Sequence, residues 1–103
     1  MDVLEGIQKE FKFIKAAFEN GKVKKMSDLE KEKPTLISKL LGMNQGRYAA
    51  KLFKPHEFSP SEIARISIIL DIDAGLIINL IKRELIVEEK KRIIANYRKL
   101  KKI

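Results

Sequence analysis

The sequence predicts an all-α protein of five or six helices, on three observations. Apolar residues recur at three- and four-residue spacings along the chain. Glycine and proline, only 5 and 3 in number, fall where helices would start or stop. No segment alternates as a strand does, and β-branched runs such as Ile66 to Ile69 sit within helical periodicity.

The first helix follows from Leu4, Ile7, Phe11, Ile14 and Phe18, spaced 3, 4, 3, 4 and so forming one apolar stripe, with Lys9, Lys12 and Lys15 elsewhere on its surface. Asn20-Gly21 supplies a C-terminal cap. Ser27-Asp28-Leu29-Glu30 then reads as a capping box opening a segment of one or two turns, because Pro34 cannot continue a helix. Pro34 suits the first position of the next helix, which runs to Leu41 with Gly42 just past its end. Asn44 caps a further helix from Gln45 to Phe53, and Lys54 to Phe58 form a turn bracketed by Phe53 and Phe58, which are expected to pack on the core. Ser59-Pro60-Ser61-Glu62 combines an N-cap serine, a proline at the first helical position and a glutamate at the third. That helix turns Ile63, Ile66, Ile69 and Leu70 inward and ends near Asp71. Asp73 caps the last helix, apolar at Leu76, Ile77, Leu80 and Ile81 and basic beyond Ile86.

Composition narrows the function. A chain of 103 residues suffices for one domain. Residues 1–85 form a single helical domain with its informative centre at 33–54, and residues 86–103 a basic amphipathic helix. Lys plus Arg number 22 against 14 Asp plus Glu, a net charge of +8, which implies an anionic partner. With no cysteine, neither a disulfide framework nor a thiolate metal site can form. The N-terminus lacks the basic flank and apolar run of a signal peptide. The most apolar stretch, Leu76 to Ile81, contains Asn79 and falls far short of the roughly 20 residues that span a bilayer. The expectation is a cytoplasmic protein without a membrane partner. His56, the single histidine, makes a poor metal ligand alone, and Glu88-Glu89 splay apart on a helix. No nucleophile–base set, glycine-rich phosphate loop or paired-carboxylate cleft is present, so the chain reads as neither an enzyme nor a cofactor carrier.

The stretch Lys33 to Ile81 carries the argument further. It places three short helices in succession, and Gly42-Met43-Asn44 tightly joins the first two. A glycine-bearing link this short makes two helices cross steeply and leaves the second protruding. A protruding basic helix fits the major groove, where each base pair shows a distinct pattern.

Leu36-Ile37-Ser38-Lys39-Leu40-Leu41-Gly42-Met43-Asn44-Gln45-Gly46-Arg47-Tyr48, followed by Ser59 to Ile81, resembles the helix-turn-helix of the phage-repressor or Cro-type (lambda-repressor-like) transcriptional regulators. The family's apolar–small pair, Leu-Gly, apolar residue, capping polar residue and later core position fall at Ile37-Ser38, Leu41-Gly42, Met43, Asn44 and Tyr48. The match is essentially ungapped over half the chain. The resemblance implies that Gln45, Arg47, Ala50 and Lys51 face base edges, and that Thr35, Lys39, Asn44 and Lys54 lie nearer phosphates. The residue types are suited to reading bases, since Gln bonds bidentately to adenine, Arg to guanine, and an Ala methyl packs on thymine. Gly46 either admits a close phosphate backbone or is simply tolerated.

Departures from the pattern are specific. Pro34 stands where the family often has a phosphate-binding Gln, which would pass that contact to Thr35 or a backbone amide. Ser38 and Ser67 replace small apolar residues and fit if their hydroxyls bond back to the preceding turn. Lys51 falls on the usual second core position, for which Leu52 is the better candidate.

The stripe Ile86, Ile93 and Leu100, with Ile94, Tyr97 and Ile103 nearby, fits three uses: packing on the first helix, pairing with a second subunit, or lying on an anionic membrane. The overall expectation is a homodimeric, sequence-specific binder of double-stranded DNA that regulates transcription. The rival is the same scaffold acting as an interaction module for an acidic protein. RNA is disfavoured, since no aromatic residues are arranged for base stacking.

Overall fold

A computed structural model describes residues 2–102, which are all-helical: six α-helices, two 3-10 turns and, among the described residues, no strand. The helices are α1 (Val3–Lys9), α2 (Lys12–Glu19), α3 (Pro34–Leu41), α4 (Gln45–Phe53), α5 (Pro60–Leu70) and α6 (Ala74–Lys101). The 3-10 turns are Met26–Leu29 and Pro55–Glu57. No helix is long and apolar enough to cross a membrane among the described residues. One core joins all the elements, with Phe11, Met26, Leu29, Leu41, Tyr48, Leu52, Leu70, Ile77 and Leu80 almost wholly buried.

Helix ends follow the local chemistry. Asp2 Oδ1 accepts from Glu5 N at 2.7 Å and Asp73 Oδ1 from Gly75 N at 2.6 Å, so each carboxylate takes an amide that lacks a helical acceptor. Ser59 and Glu62 complete a reciprocal capping box at the start of α5. Gly21 closes α2 at φ +69°, with Lys22 N donating to Ala17 O at 2.8 Å. Asp71 closes α5 in the same left-handed manner at φ 54°, although it is not glycine. Its carboxylate receives Lys15 Nζ at 2.8 Å and raises the lysine above its ordinary pKa, chiefly through that hydrogen bond.

Three sequence expectations are corrected. The stripe from Leu4 to Phe18 is not one helix: the chain breaks at Glu10–Phe11, where Phe11 N turns to Gln8 O at 3.0 Å. The Glu10 carbonyl receives Lys33 Nζ at 3.1 Å, and that ammonium lies 5.6 Å from the Phe11 ring centre. The break drives Phe11 into the core and lets α1 pack on α5, where Gln8 Nε2 donates to Ile68 O at 2.8 Å. Leu4 is consequently left 44% exposed.

The expected box at Ser27–Glu30 is built instead by Asp28. Its Oδ2 accepts from Lys24 N at 2.9 Å and Lys25 N at 3.2 Å, and the element is a single 3-10 turn. Phe58 packs on the core as expected, but Phe53 is 62% exposed. It sits one residue past buried Leu52, and 100° per residue carries it off the inward face.

α6 changes character along its length. Ile77, Leu80 and Ile81 are buried and Leu85 partly so, whereas every described residue from Ile86 onward is exposed. The helix continues unbroken through that point. Its 28 residues, at about 1.5 Å each, make a rod of about 42 Å that runs on past the core and accounts for most of the 65 Å longest dimension beside widths of 29 and 22 Å. Of the three uses open to its distal stripe, packing on the first helix is not realised among the described residues, outside which Ile103 lies.

Candidate nucleic-acid interface

The α3–α4 pair owes its geometry to a three-residue turn. Gly42 sits at φ +74°, a conformation that penalises any side chain. Its amide donates to Lys39 O at 3.1 Å, and Met43 N to Ser38 O at 3.0 Å, which satisfies carbonyls at the end of α3. Met43 is buried, Asn44 is extended, and Asn44 Oδ1 accepts from Arg47 N at 2.8 Å to open α4. Ser38 Oγ donates to Thr35 O at 3.0 Å and Ser67 Oγ to Ala64 O at 2.7 Å, so both buried hydroxyls bond back to the preceding turn as expected.

α4 is anchored by Tyr48 and Leu52, at 1% and 0% exposure. Burial alone pushes the Tyr48 phenol well above its ordinary pKa, so it stays neutral and acts as core. With those two facing inward, Gln45, Gly46, Arg47, Ala50, Phe53 and Lys54 are exposed. Thr35 Oγ1 donates to Gln45 Oε1 at 2.8 Å, which ties the N-terminal ends of α3 and α4 together and orients the Gln45 amide. Gln45 Oε1 retains a second lone pair and Nε2 both protons, the set needed to meet an adenine edge. The Thr35 hydroxyl proton is engaged in that bond, which leaves its backbone amide, in the first turn of α3, as the donor free for an anion.

Seven of the eight expected residues are exposed: Gln45, Arg47 and Ala50 on α4, Thr35 and Lys39 on α3, Asn44 in the turn and Lys54 past the end of α4; hydrogen bonds join Thr35 to Gln45 and Asn44 to Arg47. Among the described residues, Lys39, Arg47 and Lys54 take part in none of the ion pairs that form. Lys51 departs from expectation. Its Nζ lies 2.7 Å from Glu62 Oε1, with the two side chains only 15% and 12% exposed, and about 6.0 Å from the Phe58 ring centre. The same oxygen accepts from Ser59 N at 2.8 Å. The Lys51 ammonium, and next the Ser59 amide, hold the Glu62 carboxyl below its usual range. Lys51 therefore fastens α4 to α5 and is not turned outward with Arg47.

Two supporting residues escaped the sequence reading. Arg65 Nη1 donates to Leu41 O at 3.2 Å, satisfying a carbonyl at the end of α3 from a position 24 residues away. Lys33, the residue before Pro34, takes φ 46° and clamps the α1–α2 break. Both contacts join segments distant in sequence, which periodicity does not report. His56 is exposed, and no group of three His, Cys, Asp or Glu among the described residues is placed to hold a metal ion. No protein-family model matches the sequence, and neither curated proteins nor solved structures show a significant match to it.

Proposed function

We propose that this chain is a sequence-specific double-stranded-DNA-binding protein of the helix-turn-helix, lambda-repressor-like kind, not a catalyst, that regulates transcription as a cytoplasmic homodimer. α4 enters the major groove. Gln45, Arg47 and Ala50 meet base edges, while Lys39, Lys54, the Asn44 amide and the Thr35 backbone N–H meet phosphates. The observation that carries this reading is the exposed face of α4. Residue types suited to base reading stand there on a helix anchored by wholly buried Tyr48 and Leu52, with Arg47 and Lys54 in no ion pair among the described residues.

Gly46 supports the reading independently. Its backbone needs no glycine, since its φ lies outside the left-handed range, and an added Cβ would meet only Asn44 Oδ1 at 3.4 Å. A residue that weakens the helix without serving the fold suits close approach of a phosphate backbone.

Selection from a random duplex library at near-physiological salt tests the proposal. Enrichment of a short palindrome is the expected result. Binding that is salt-labile and indifferent to sequence would overturn it and favour an acidic protein partner, a reading for which exposed Phe53 next to Lys54 is the motivating feature.

A further inference from the structure

The distal half of α6 carries an apolar stripe that none of the described residues covers. Ile86, Val87, Ile93, Ile94, Tyr97 and Leu100 are 50–68% exposed. At 100° per residue Ile86, Ile93, Tyr97 and Leu100 share one side of the helix, roughly half a turn from the side on which Ile77, Leu80 and Ile81 face the core, with Ile94 on the flank of that side and Val87 turned toward Phe53. The stripe thus points away from the body and is not a frayed continuation of the core. Lys90 lies in its middle. The charges along the segment are dominated by cations: Glu88 and Glu89 come first, each paired with a cation of its own helix (Lys91 at 3.8 Å and Arg92 at 2.9 Å), and then Lys90, Lys91, Arg92, Arg98, Lys99, Lys101 and Lys102 follow with no acid among them.

We infer that the stripe is a self-association surface, on which a second copy of this chain lays its own α6 antiparallel. The pattern is complementary to its own reverse. About a two-fold axis between Ile93 and Ile94, Ile93 of one copy comes level with Ile94 of the other and Lys90 with Tyr97, while Ile86 lies within one residue, about 1.5 Å, of level with Leu100. Lys90 then rests against an aromatic ring, which accommodates a cation within an apolar seam. A parallel pair would instead align the two cationic runs side by side at separations below the screening length of about 8–10 Å. A lipid surface would take the cations but would bury Lys90 in the acyl boundary. This inference specifies the homodimer of the proposed function and is independent of whether the protein reads DNA.

The test therefore uses the full chain without DNA. Sedimentation equilibrium should give twice the 11.9 kDa chain mass, and Ile93→Asp should return it to 11.9 kDa. An unchanged thermal melt of the buried core in that variant would show that the body still folds. The chain has no cysteine, so introduced thiols report the geometry directly. Under mild oxidation, Ile86→Cys mixed with Leu100→Cys should cross-link, and Leu100→Cys alone should not. A monomer at hundred-micromolar concentration overturns the inference, whether or not it co-sediments with phosphatidylglycerol vesicles; co-sedimentation would assign the stripe to lipid. A dimer indifferent to Ile93→Asp, or one in which Leu100→Cys alone cross-links, overturns it as well. Failure here leaves sequence-specific DNA binding to be judged by the duplex selection alone.

Discussion

Arg47 and Lys51 stand four residues apart on α4 yet are used differently. Arg47 is exposed and unpaired among the described residues, so Arg47→Ala should cost about 1–3 kcal/mol on the preferred duplex and relax one base position, whereas Lys54→Ala should weaken all duplexes alike. Competition binding against single-base variants of the selected site measures both. Lys51→Ala should leave base preference unchanged and lower the urea-unfolding free energy by about 1–2 kcal/mol, because it strands a mostly buried carboxylate. Glu62 adds a pH signature. Its folded-state pKa is depressed, so the stability it contributes is complete above the ordinary value of 4.5 and is lost as pH falls through the folded value. Glu62→Gln should therefore lower stability at neutral pH and flatten its decline between about pH 5 and 3, as read from melting temperature against pH. The residue types in this region followed from the sequence. The direction of Lys51 did not, because Glu62 lies across the intervening turn and the two fall on different helical faces.

Helix ends and turns answer to shorter-range forces. Gly42 has no atom within 4 Å of an added Cβ, so the effect of Gly42→Ala is purely conformational. It should lower stability by about 1–2 kcal/mol, the penalty for a left-handed backbone with a side chain, as measured by denaturant unfolding. Gly46→Ala reverses the sign, with a gain of about 0.5–1 kcal/mol in helix stability. If a phosphate backbone approaches there, the same variant binds the selected duplex more weakly, a pairing of effects that one protein preparation can show. The α3 and α4 boundaries were readable because Pro34, Gly42 and Asn44 act through bonds within four residues of themselves. The α1–α2 break was not. An unbroken 3-4-3-4 stripe is what a continuous helix would show, and the break is held by Lys33, 23 residues beyond the Glu10 carbonyl it reaches.

At the scale of the whole molecule, the protein divides by burial at a point where its backbone does not divide. The core closes by Leu85, and α6 continues past it without a change in helix geometry. A chain ending at Glu89 should thus keep its thermal midpoint, since none of the described residues beyond Leu85 is buried. Calorimetry of that shortened chain at low concentration, beside the full chain, checks this. The shortened chain also loses the seven lysines and arginines of residues 90–102, so the salt dependence of its non-specific DNA binding should become shallower.

The sequence by itself determined the helical class, the α3-to-α6 boundaries, the inward residues Tyr48 and Leu52, and the cationic character of both the α4 face and the end of α6. Each of these depends on the identity of a residue and its near neighbours, or on a period of 3.6 residues, and a linear reading captures both. Tertiary structure alone decided that the first helix is two, that Phe53 points to solvent, that Lys51 binds Glu62 and that the distal α6 stripe turns away from the core. Those outcomes depend on which elements approach one another in space. A buried ion pair or a bent helix is selected by the free energy of the assembled core, and that quantity is a property of the packing rather than of any local run of residues.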